Sequence, residues 1–113
     1  MFASGQQLAQ SRPANTSTAT AFTASVRTEI TSVVICNTTG SAATFSLYHD
    51  DDGTTFDQTT ALVYAAAISA NTTITVGAEG DGAGIHLTPG GSIGVQSGTS
   101  SALTFSIYGV TQS

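Results

Sequence analysis

What most restricts this chain is the material between its apolar residues. Short runs rich in Val, Ile, Thr, Phe and Tyr are separated by clusters of Gly, Asn, Ser and Pro. Glu, Lys and Arg normally coat the wet face of a helix, and here they are nearly missing. Only two Lys+Arg are present, both arginine, and charged residues make up 8%. Long amphipathic helices are hard to build from this alphabet, whereas half-buried strands are easy. The expected class is therefore all-β.

Alternation places the strands. It predicts Thr18–Thr23, Arg27–Asn37, Ala42–His49, Ala61–Ile68, Thr72–Val76, Gly84–Thr88, Ser92–Ser97 and Leu103–Val110. In the third of these, Phe45 and Leu47 share one face, with Thr44, Ser46 and Tyr48 on the other. In Ala61–Ile68, Leu62, Tyr64, Ala66 and Ile68 fall on one face. Asp50–Asp57 and the glycine-rich stretch Gly77–Gly84 read as loops, and Pro89-Gly90-Gly91 as a tight turn. About eight strands in 113 residues fit one antiparallel β-sandwich or jelly-roll-like domain, residues 19–113. Residues 1–18 are polar and weakly periodic, with Pro13 opposing a helix, and read as an extended N-terminal arm.

An internal repeat supports the sandwich. Ser32–Tyr48 aligns without gaps on Ser92–Tyr108, and both end in Ala, any residue, Thr-Phe-Ser, Leu or Ile, Tyr. The alignment makes Val33, Ile35, Phe45 and Leu47 core positions equivalent to Ile93, Val95, Phe105 and Ile107. Each copy reads as a β-hairpin with a polar turn. Tyr48 and Tyr108 then face away from the core, as contact residues apolar in body and polar at the tip.

Charge narrows the function. A net charge of -5 with no lysine argues against a nucleic-acid binder and against docking on anionic lipid. No apolar run is long enough to span a bilayer, and Met1–Gln7 lacks the basic and apolar regions of a secretory leader. The single Cys36 has no basic neighbour in sequence and reads as an inert strand residue. His49 and His86 are the only strong general-base candidates, and no G-x-S-x-G elbow accompanies them. Asp50, Asp51, Asp52 and Asp57 around Gly53 suggest a calcium loop, but the spacing is not that of an EF-hand. Turn capping is the simpler reading. The Gly77–Gly84 stretch lacks a following Lys and carries two acids, so it does not cradle phosphate. No catalytic residue, cofactor or metal is expected.

The segments Ile35–Tyr48, Asp52–Phe56 and Gly90–Gly98 resemble small virion proteins encoded among the structural genes of tailed bacteriophages. The resemblance covers most of the chain beyond the arm and rests on strand-and-turn patterns. It implies a non-enzymatic structural protein on the outer capsid surface, of the decoration or cement type. Such a protein sits as a homo-oligomer, dimer or trimer, on the major capsid protein. A tail, neck or fibre component is the related alternative. The arm and the tyrosine faces are the expected contacts, through Phe2, Leu8, Arg12, Tyr48 and Tyr108. A carbohydrate-binding attachment module is a third reading. The absence of Trp and an aromatic content of 7% weigh against it.

Overall fold

The computed structural model describes residues 6–77 and 85–111, which contain nine strands and no helix. They are β1 (Gln6–Ser11), β2 (Ala19–Thr23), β3 (Thr28–Asn37), β4 (Ala43–Asp50), β5 (Ala61–Ile68), β6 (Thr73–Gly77), β7 (Ile85–Leu87), β8 (Ser92–Ser97) and β9 (Leu103–Thr111). Two antiparallel sheets result, one ordered β1-β9-β3-β6 and the other β2-β8-β4-β5. The short β7 pairs with the first residues of β3, continuing the line of β6.

This order is one long hairpin rolled up. Its tip is the pair β4·β5, followed outward by β3 with β6 and β7, then β2·β8, then β1·β9. Successive pairs fall in opposite sheets, and β3·β9 and β4·β8 complete them. That winding makes the sandwich a jelly roll.

The core is where the two inner faces meet. Val33, Ile35, Phe105 and Ile107 enter from one sheet and Phe45, Leu47, Ile93 and Val95 from the other, none more than 3% exposed. These are the eight positions that the repeat pairs. Burying each contributes about 1.5–3 kcal/mol before conformational entropy is subtracted.

The hairpins expected from the repeat do not form. β3 and β4 lie in different sheets, as do β8 and β9. The connecting segments are arches, and the two copies interlock, β3 on β9 and β4 on β8. Val33 lies opposite Ile107 in one sheet, and Val95 opposite Leu47 in the other. Relative to the repeat, the second pairing is slipped by two residues, which keeps every apolar side chain inward. A hairpin would have put both strands of a copy in one sheet with their apolar face uncovered. An arch turns the two faces toward each other.

Equivalent buried polar residues hold the arches. Asn37 accepts the Thr39 N–H on its Oδ1 at 3.0 Å, and Ser97 accepts the Thr99 N–H on its Oγ at 3.3 Å. Both are fully buried.

Two further expectations change. Residues 6–11 of the arm form β1, paired with β9 from Gln6 opposite Gly109 to Ser11 opposite Phe105. An uncharged extended segment next to an open sheet edge gains backbone hydrogen bonds by joining it. In β5 the single alternating face breaks at a bulge. Ala65 has φ 51°, and its N–H donates to Ser46 Oγ at 2.9 Å. Leu62 and Tyr64 consequently face solvent, while Ala66 and Ile68 pack inward.

Candidate functional site

The outer faces of the two sheets differ. That of β1-β9-β3-β6 is open, carrying Val34, Cys36, Thr75, Tyr108 and Gln10. Its charged residues sit at opposite ends. At one, Glu29 Oε2 lies 3.7 Å from His86 Nε2. At the other is Arg12, which donates to Thr38 Oγ1 at 2.9 Å, to Thr104 Oγ1 at 3.2 Å and to the Ser101 carbonyl.

The outer face of β2-β8-β4-β5 is covered. Between β4 and β5 the chain folds back so that Phe56 lies over Gly94. A Cβ at that glycine would come within 2.6 Å of the ring, so only glycine leaves room. The Phe56 ring lies 6.2 Å from that of Tyr48, tilted by 42°. Tyr48 donates its hydroxyl to Gln96 Oε1 at 2.6 Å, and Gln96 Nε2 donates to the Thr16 carbonyl at 3.0 Å. This cover corrects the expectation for Tyr48. Its side chain does point away from the core, but it is 1% exposed. Alternation reports which face a residue is on, not whether a distant loop covers that face. Tyr108, on the open sheet, keeps 36% of its surface.

Beside Phe56 opens a shallow cleft of ≈ 440 Å³, lined by Tyr48, Phe56, Asp57, Gln58, Tyr64 and Gln96 together with threonines. Sequence reading missed it. Its residues come from β4, β5, β8, the β4–β5 loop and, with Thr18, the segment before β2, and no local motif joins them.

The remaining candidates are placed as follows. Leu8 is half-buried against the chain's own core. Arg12 ties the end of β1 to both arches. Phe2 and most of the Gly77–Gly84 stretch lie outside the described residues. Three of the acids around the β4–β5 loop, Asp50, Asp52 and Asp57, accept hydrogen bonds from threonines of that loop. Asp50 Oδ2 accepts the N–H groups of Thr54 at 2.9 Å and Thr55 at 2.6 Å. Asp52 Oδ1 accepts the Thr54 hydroxyl and N–H, which lowers its pKa. The Thr59 hydroxyl and N–H do the same for Asp57. Hydrogen bonds donated to a carboxylate favour its charged form. Carboxylate oxygens of Asp50, Asp51 and Asp52 do lie within 4.8 Å of one another, but what the geometry displays is turn capping. His86 is exposed on β7, opposite in direction to the buried Leu87, and Cys36 is half-buried on β3 beside Thr73 and Thr104. Among the described residues, no helix is long and apolar enough to cross a membrane.

Comparison of the chain with protein-family models, curated proteins and solved structures finds no match.

Proposed function

We propose that the chain is a non-enzymatic structural subunit of a virion, a decoration or cement protein on the outer surface of the shell. In this reading it binds the major capsid protein as a homo-oligomer. The observation that carries the reading is the open face of the β1-β9-β3-β6 sheet. Among the described residues it carries no charge between Glu29 and Arg12, and it presents Tyr108, Val34 and hydroxyl side chains. Such a face is covered by a protein partner without stripping water from buried charges. The interlocked core beneath makes it stiff, as clamping neighbouring subunits requires. A net charge of -5 without lysine favours a position outside the shell, away from packaged DNA. The resemblance of Ile35–Tyr48, Asp52–Phe56 and Gly90–Gly98 to small phage virion proteins points the same way.

The test is copy number in purified particles, by quantitative mass spectrometry against the major capsid protein. A number comparable to that of the capsid subunit is the expected result. A handful per particle moves the protein to the tail or neck and ends the cement reading.

A further inference from the structure

We propose that the cleft beside Phe56 is a binding site for a neutral carbohydrate. Tyr64 is its stacking platform, and Asp57 and Gln58 are its hydroxyl partners. The proposal does not depend on where the protein sits in a particle.

The first support is the gathering of aromatic rings. The chain has only eight aromatic side chains, 3 Tyr and 5 Phe, and three of them line this one cleft: Tyr48, Phe56 and Tyr64. A composition poor in aromatics argues against sugar binding only if the rings are scattered. The volume of ≈ 440 Å³ lies within the range of about 300–1,000 Å³ usual for small-molecule sites.

The second support is that the floor is built in advance. The Tyr48–Gln96–Thr16 hydrogen-bond chain fixes one ring, and Gly94 seats the other. Little side-chain entropy remains to be lost there on binding. Tyr64 is different. It is 54% exposed, the most exposed of the large apolar side chains described. The bulge at Ala65 turns it outward, with an alanine held in the left-handed region at φ 51°. Strain of that kind persists only where the surrounding structure enforces it.

The polar groups select the ligand. Asp57 lines the cleft, and the Thr59 N–H and hydroxyl both bond its Oδ1, which leaves Oδ2 without a hydrogen bond among the described residues and available as an acceptor. The Gln58 side chain is exposed and offers both a donor and an acceptor. A carboxylate and a carboxamide beside an open ring suit vicinal hydroxyls on one edge of a sugar and C–H groups on its face. With no cation among the described residues lining the cleft and a carboxylate in it, phosphates and acidic sugars are repelled. A quaternary ammonium needs open rings on several sides, whereas here Tyr48 is 1% exposed and Phe56 is half-buried, so both form the floor and only Tyr64 rises from it.

The test uses the ¹⁵N-labelled full chain. The methyl glycosides of glucose, galactose, mannose and N-acetylglucosamine are titrated into the millimolar range while amide shifts are followed. At least one glycoside is expected to shift Phe56, Asp57, Gln58 and Tyr64 in a saturable manner. Tyr64→Ala should weaken that binding by about tenfold or more, and Tyr64→Phe should retain most of it. Asp57→Asn should weaken it too. The unchanged melting temperature of Tyr64→Ala, an exposed position, separates lost binding from lost folding. The proposal is overturned if none of the four glycosides moves the cleft amides, or if Tyr64→Ala leaves the shifts intact. It is also overturned if no sugar binds and Tyr64→Ala lowers the sedimentation coefficient, because the ring is then a protein contact.

Discussion

Replacing Asn37 with alanine should destabilise the fold more than any conservative surface change, because one side chain holds three connections. Asn37 is fully buried at the end of β3. Its amide donates to the carbonyls of Ser41 at 2.8 Å, Ile68 at 3.3 Å and Ser69 at 3.2 Å, joining the β3–β4 arch to the end of β5. Its Oδ1 accepts from the Thr39 N–H at 3.0 Å and hydroxyl at 2.8 Å. An amide has two hydrogens, so the three carbonyls share two donors. The bond to Ile68 is wholly buried, and leaving that carbonyl unpaired costs about 1–3 kcal/mol. The others are partly exposed, so water replaces some of the loss, and each counts for about 0.5 kcal/mol. With about 2 kcal/mol for the Ile68 carbonyl and about 2 for the four other bonds together, the sum is about 4 kcal/mol, a drop of roughly 16 °C in Tm for a domain of this size. Thermal unfolding followed by circular dichroism measures it. Asn37→Asp keeps the shape and the Thr39 contacts but turns an acceptor toward three carbonyls. It should match or exceed the alanine loss at neutral pH. Burial among acceptors raises that carboxyl's pKa, so the variant should regain stability as pH falls and the group protonates. A Tm within about 4 °C of the parent for Asn37→Ala, or an unaffected Asn37→Asp, would refute the claim that these donors hold the arch.

Three other outcomes are expected. Gly109→Ala should cost about 2–3 kcal/mol, since its Cβ would collide with the Glu29 backbone carbonyl, while Gly40→Ala, with open space around it, should be nearly neutral. Urea unfolding of the two variants compares them. Hydrogen bonds from Thr54 and Thr59 hold the Asp52 and Asp57 carboxyls below the ordinary carboxylate range, so their contribution is complete above the unfolded-state value and disappears as pH falls through the folded-state ones. Tm should therefore be insensitive to these groups at neutral pH and fall in acid below about 4, less steeply in the Asp52→Asn, Asp57→Asn double variant. Removing residues 2–11 strips β1 from β9 and should lower Tm, whereas removing residues 2–5 leaves β1 in place. If Phe2 contacts the capsid, the shorter deletion lowers occupancy on particles at unchanged Tm; unchanged occupancy dismisses that contact.

Much of the fold was readable from the chain. The strands Ala61–Ile68 and Ser92–Ser97 begin and end where the alternation predicts. All eight core positions paired by the repeat are buried. A period of two is a local property, set by which side of the pleat each residue occupies, and sequence carries it directly. The bulge in β5 escaped because Ala65 is not the glycine that usually marks a left-handed residue, and the hydroxyl that accepts its N–H belongs to another strand.

What the sequence alone determined was the class: short strands, a hydroxyl-rich surface with few charges, and the identity of the residues that must be hidden. Tertiary structure decided which strands became neighbours. It turned two apparent hairpins into interlocked arches, drew residues 6–11 into a sheet and buried Tyr48 beneath Phe56. It also gathered three of eight aromatic rings at one cleft. Pairing and cover depend on contacts between residues far apart in the chain. Their free energy is gained only when both partners are in place, so neither partner's own sequence announces it.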